Sequence, residues 1–199
     1  MKKLLSAVAV CGLLVAGPAL AQNQYQNQGR GGPGGPALSQ QDQAFVQAAA
    51  DGSLGEVTLG RLAEQKAGTP AVREFGRWMV TDHGLVATRW LESIMARLGQ
   101  RMEPSLSAHD RELQSKLQGL SGTQFDREYI EAQVKAHEET VPKFQQEAKE
   151  GQNPMLRYFA QIITPALEQH LAAAKALAGA TGASASGSGT TQSGSSTKH

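Results

Sequence analysis

Cysteine is almost missing from this chain. Cys11 is the single one, and it lies in an N-terminal stretch with the marks of a secretory signal. Lys2 and Lys3 supply a positive start, residues 4–16 are mostly apolar, and Ala19-Leu20-Ala21 is a small-x-small cleavage site. Cleavage there would give a chain starting at Gln22, with no disulfide, no thiolate metal ligand and no cysteine nucleophile. Delivery to an oxidising compartment, most simply the periplasm, would leave the packed core alone to hold the fold. Cys11 is not expected to carry a lipid. Val8 and Val10 stand where a lipobox prefers leucine and a small residue.

Long hydrophobic runs are also lacking. The signal's apolar run of about a dozen residues falls short of the roughly 20 that span a bilayer. No later stretch approaches that length, so no transmembrane span is expected. An excess of one charge is missing too. Without Lys2 and Lys3 the 19 basic residues become 17, against 18 acidic ones. A chain so near neutrality lacks the field of a nucleic-acid binder. There is no alternating strand pattern, glycine-rich phosphate loop, zinc-protease motif or ordered Ser/His/Asp set.

What is present is helical. The sequence divides into a signal peptide over 1–21, a flexible Gln/Gly/Pro linker over 22–38, a domain over 39–178 and a Gly/Ser/Thr tail over 179–199. Four long segments of helical period have recognisable ends. Ser39, with Asp42 three residues on, opens the first, which stops at Gly68. Thr69-Pro70 opens the second, which ends at Gly99. Thr123 with Asp126 opens the third, and Asn153-Pro154 the fourth, which fades at Gly179. A short helix starting at Ser107 lies in the connection between the second and third.

The tight links at 68–69 and 151–153 make two antiparallel hairpins. The middle connection of about 24 residues is long enough to cross a bundle about 40 Å tall. The fold expected is therefore all-α, a ferritin-like up-down-down-up four-helix bundle with a crossover carrying a short helix.

Each long helix carries one ionisable residue on its apolar stripe. The first places Phe45, Ala49, Gly52, Glu56, Leu59 and Ala63 on one face. The second gives Val72, Phe75, Gly76, Met79, His83, Val86, Trp90 and Ile94. His137 lies among Ile130, Val134, Val141, Phe144 and Ala148, and His170 among Leu156, Phe159, Ile163, Leu167, Ala174 and Leu177. With the crossover, Glu56, His83 and His137 fall about 12–14 residues, or roughly 18–22 Å, from one end, and His170 comes to nearly that level. Pro142 and Pro165, each five residues from a histidine, are expected to kink their helices there.

Several motifs together resemble a known family. They are Gly55-Glu56-Val57 with Leu59-Gly60, Met79-Val80-x-Asp82-His83, and Leu120-Ser121-Gly122 with Phe125-Asp126 and Tyr129. Gln133-Val134-x-x-His137 and Pro165-x-Leu167-x-x-His170-Leu171 complete the set. Over about residues 40–178 the chain resembles the exported bacterial ferritin-like family known only as a domain of unknown function. That resemblance implies a periplasmic four-helix bundle and supplies no reaction. The Glu-x-x-His pairs of a di-iron bundle are missing, since Val80, Val134 and Leu167 stand three residues before the histidines.

Three functional readings follow. In the first, Glu56, His83, His137 and His170 hold one divalent transition metal, with Asp82 as a ligand or a partner of one. In the second, the same groups form a metal-free hydrogen-bonded cluster in an envelope scaffold or stress protein, the tails reaching partners. The third is a metal-dependent redox enzyme. Met79 reads as core filler before a soft copper ligand. Asp126 reads as a cap, and Trp90, Tyr129 and Tyr158 as packing. His109 and His199 have no role, and nothing indicates an oligomeric state.

Overall fold

The computed structural model describes residues 37–182. The expected signal peptide, most of the linker and most of the tail lie outside the described residues. Within them every regular element is helical, with no strand. α1 spans Gln40–Lys66 and α2 spans Pro70–Met79. A π-helical segment, Val80–Thr88, leads into α3, Arg89–Arg97. α4 is Ala108–Gln118, α5 is Gly122–Glu150 and α6 is Pro154–Thr181.

Most starts follow the local chemistry read from the sequence. Ser39, Thr69, Ser107 and Asn153 each accept a hydrogen bond from a first-turn amide of the helix they open. The exception is α5. It begins at Gly122, whose φ of 61° suits only glycine, rather than at Thr123. Asp126, expected to cap its own helix, instead accepts from Gly68 N at 2.8 Å and Thr69 N at 2.9 Å. It caps the turn that opens α2. At the C-terminal end, α6 runs on to Thr181 and is closed by Gly182 in the left-handed conformation at φ 69°. α5 and α6 continue through Pro142 and Pro165.

The two ends of the molecule are tied differently. At one end the α1–α2 turn meets the start of α5 through Asp126 and an isolated bridge between Ala67 and Gly122. At the other, Asp42 at the start of α1 accepts from Gln152 N and Asn153 N in the α5–α6 turn. α1 therefore runs against α5. The connection lies along α1, with Ser105 N donating to Asp51 at 2.7 Å and Lys66 Nζ to the Gln118 carbonyl at 2.8 Å. α1 and α2 approach closely where Gly60 faces Gly76. A Cβ on Gly76 would lie 2.6 Å from Ala63 Cβ and 2.8 Å from the Gly60 carbonyl oxygen.

The apolar interior is in two parts. One holds Phe45, Ala49, Leu91, Ile94, Phe144, Phe159 and Leu167 among others. The other holds Leu59, Val72, Phe75, Met79, Phe125, Ile130 and Ala174. Each long helical stretch passes from one cluster to the other, and the change falls at Glu56, His83, His137 or His170. All four are buried. A polar layer divides two oily compartments.

The π-helical segment departs from the expected regular helix and has a register effect. A π turn takes up extra chain, so the interior face after His83 is delayed by one residue. Leu91 is buried in place of the expected Trp90, which is only half-buried, and Ala87 is buried as well. Tyr158, expected to pack, is 57% exposed and meets Trp90 edge-on at its rim.

Candidate metal centre

The site starts from three rings on three different stretches of chain. His83 comes from the π-helical segment, His137 from the middle of α5 and His170 from α6. One nitrogen from each ring lies within 4.8 Å of the other two. The ring centroids form a near-regular triangle of 5.4, 5.4 and 5.9 Å. Of the sequence candidates, these three are the ones that converge. Glu56 and Asp82 do not join the group but stand at its edge.

Two of the rings, His137 and His170, have their orientation set by a neighbour. His137 Nδ1 lies 2.9 Å from the Gln133 carbonyl one turn earlier. A carbonyl only accepts, so Nδ1 carries the hydrogen and Nε2 keeps the lone pair. Glu56 Oε1 lies 4.0 Å from that same Nδ1, beyond hydrogen-bond reach. His170 Nε2 donates to Asp82 Oδ2 at 3.0 Å, which leaves Nδ1 with the lone pair. Asp82 Oδ2 also accepts from Trp78 Nε1 at 2.7 Å, and the Trp78 ring stands edge-on to His170 at 4.6 Å. The His83 carbonyl accepts from Thr88 Oγ1 at 2.5 Å, five residues along the π turn.

Three buried nitrogens are then left without a partner: His83 Nε2, His137 Nε2 and His170 Nδ1. Buried polar atoms normally find one. Burial, reinforced by His137 and His170, holds His83 well below the ordinary imidazole range. Burial also lowers His170, against the opposing pull of Asp82. Neutral rings with free lone pairs are the protonation state that metal ligation needs. Burial raises the Glu56 carboxyl, partly offset by His137, and its Oε2 is unpartnered.

The donor set suits a borderline metal ion. Three imidazoles at about 2.0–2.1 Å, with one position left open, is the pattern of reactive zinc sites. Tetrahedral bonds of that length place donors roughly 3.3 Å apart, so the 4.8 Å limit here needs only a small closing movement. The two carboxylates do not supply a bridged pair of metal ions, in keeping with the missing Glu-x-x-His motifs.

Trp78 and Gln133 were not singled out as site residues from the sequence. Both lie four residues before a site residue, Asp82 or His137, the spacing that stacks side chains on one helix face. Met79 is fully buried in the second apolar cluster. His109 lies on α4 at the rim of a cleft that reaches the rings.

Fold and site together define an all-helical protein with a buried three-histidine cluster. The chain belongs to the family described as Domain of unknown function (DUF4142), whose profile matches residues 30–177. Neither the curated proteins nor the solved structures contain a match.

Proposed function

We propose that this protein is an exported, ferritin-like four-helix-bundle domain that binds one divalent transition metal through His83, His137 and His170. The observation that carries the reading is the convergence of three buried ring nitrogens within 4.8 Å, with one unpartnered nitrogen on every ring. Asp82 and the Gln133 carbonyl act on the opposite nitrogens and fix the tautomers, the usual supporting role beside a metal. Glu56 lies beside the ligand group and is not one of its three donors. The ferritin-like arrangement is supported by the meeting of the α1–α2 turn with the start of α5. It is supported again by the tie between the start of α1 and the α5–α6 turn. Export rests on the N-terminal signal pattern.

The test is metal content. Full-length protein recovered from a periplasmic fraction should carry about one equivalent of a transition metal by elemental analysis. His137→Ala should lose it while keeping its helical circular dichroism. A metal-free wild type that also fails to bind added zinc, copper or cobalt at micromolar concentration, with His83→Ala more stable than wild type, would leave the purely structural cluster as the answer.

A further inference from the structure

A cleft of about 410 Å³ opens between α1, α4 and α5 and runs inward to the histidines. Glu56, His83, His137 and Gln133 all line it. These four residues also hold four of the seven buried, unpartnered side-chain polar atoms among the described residues: Glu56 Oε2, His83 Nε2, His137 Nε2 and Gln133 Oε1. Orphaned polar groups therefore gather at the floor of one opening. His170 is not among its lining residues, so the cleft approaches the ring triangle from the His83–His137 side. Leu59, Phe144 and Leu167 add apolar wall, and Ser53, Asp110, Lys135 and Lys143 line the cleft as well.

We propose that this cleft admits a small neutral ligand that binds the open position of the histidine-held metal, an inference that rests on the metal reading above. The ligand class follows from the floor. The metal needs a lone pair from nitrogen or oxygen. Glu56 Oε2 and Gln133 Oε1 offer acceptors, so the ligand carries an N–H or O–H group. An anion would have its charge turned toward Glu56 and the Gln133 oxygen at the floor, with no donor among the unpartnered oxygens there to meet it. The volume lies at the small end of the range for small-molecule sites. An amine, azole, alcohol or hydroperoxide of a few non-hydrogen atoms fits this description.

Gly52 makes the test clean. It lines the cleft one turn before Glu56, and a Cβ built there meets nothing within 4 Å. Gly52→Leu should fill the passage without touching a metal ligand, and leucine favours the helix over glycine. Full-length protein loaded with cobalt(II) is titrated with imidazole and with azide, following the visible bands and measuring bound cobalt in every sample. The wild type should show a saturable change with imidazole at lower concentration than with azide. Gly52→Leu should keep one cobalt but bind imidazole at least tenfold more weakly. Cobalt bound with bands that neither probe moves would overturn the cleft as a ligand site, and so would an unchanged imidazole affinity in Gly52→Leu. Azide binding as tightly as imidazole would overturn the assignment to neutral ligands. Failure to bind cobalt at all would overturn the metal reading and this one together.

Discussion

Asp82 is not one of the three converging donors, yet it sets which nitrogen of His170 keeps its lone pair. Asp82→Asn removes the charge opposite the ring and offers an amide that can turn its donor toward it. Metal affinity should fall 10–100-fold, the usual cost of losing such a partner, as measured by competition with a chelator. Helical content should not change. The residues of the site were partly legible from spacing. Three histidines on apolar faces can be counted to a common level once the helices and their direction are known. Glu56 read as a ligand and Asp82 as a ligand or a partner of one, because periodicity assigns a face and a height but not the side on which a carboxylate meets a ring. Gln133 acts on His137 through a backbone carbonyl, which no side-chain pattern announces.

At the scale of elements, two joints invite measurement. Gly76→Ala would put a methyl 2.6 Å from Ala63 Cβ and 2.8 Å from a backbone oxygen. Even after a helix-propensity gain of about 1 kcal/mol, overpacking should leave a net loss of roughly 1–2 kcal/mol. The melting temperature should drop by several degrees. The second joint is the Asp42–Glu147 pair, both buried, where α1 meets the α5–α6 turn. Burial would raise the Asp42 carboxyl, but its bonds from Ser39 and from the Asn153 and Gln152 amides, with Glu147, bring it below the usual range. Glu147 is pushed up to about 7 by burial and by Asp42. A carboxyl raised in the folded state contributes stability that is complete below its unfolded value and is lost as pH climbs through the folded one. Glu147→Gln should therefore gain on the wild type between pH 4.5 and about 7, by up to about 3 kcal/mol at 1.4 kcal/mol per unit. Urea unfolding of both proteins side by side cancels the titration of the buried histidines. Four helix starts were readable from cap residues. The π-helical segment was not, because Val80-Thr81-Asp82-His83 reads as ordinary helix.

Across the whole molecule, the polar layer makes stability depend on what fills it. Three rings from distinct elements share one position, so a metal bound only by the folded form should stabilise all of it together. At a hundred times the dissociation constant the gain is about 2.7 kcal/mol. Calorimetry should show a rise in melting temperature with added metal, reversed by a chelator and missing in His137→Ala. The all-helical class was legible from periodicity. The relative direction of the helices was read from loop length alone, and the contacts at Asp126 and Asp42 set α1 against α5. The division of the interior was hidden, since each stripe looks continuous until the four are laid side by side. The wide turn at residues 80–88 has a consequence of its own. Ala87 and Leu91 point inward because one more residue is wound in ahead of them. Rewinding that turn to a regular helix at full length would swing Trp90 toward the oil and Leu91 away from it, whereas deleting one of its residues would close the turn with Leu91 still inward. For this stretch, a natural variant one residue shorter should carry a regular helix and keep the same inward face.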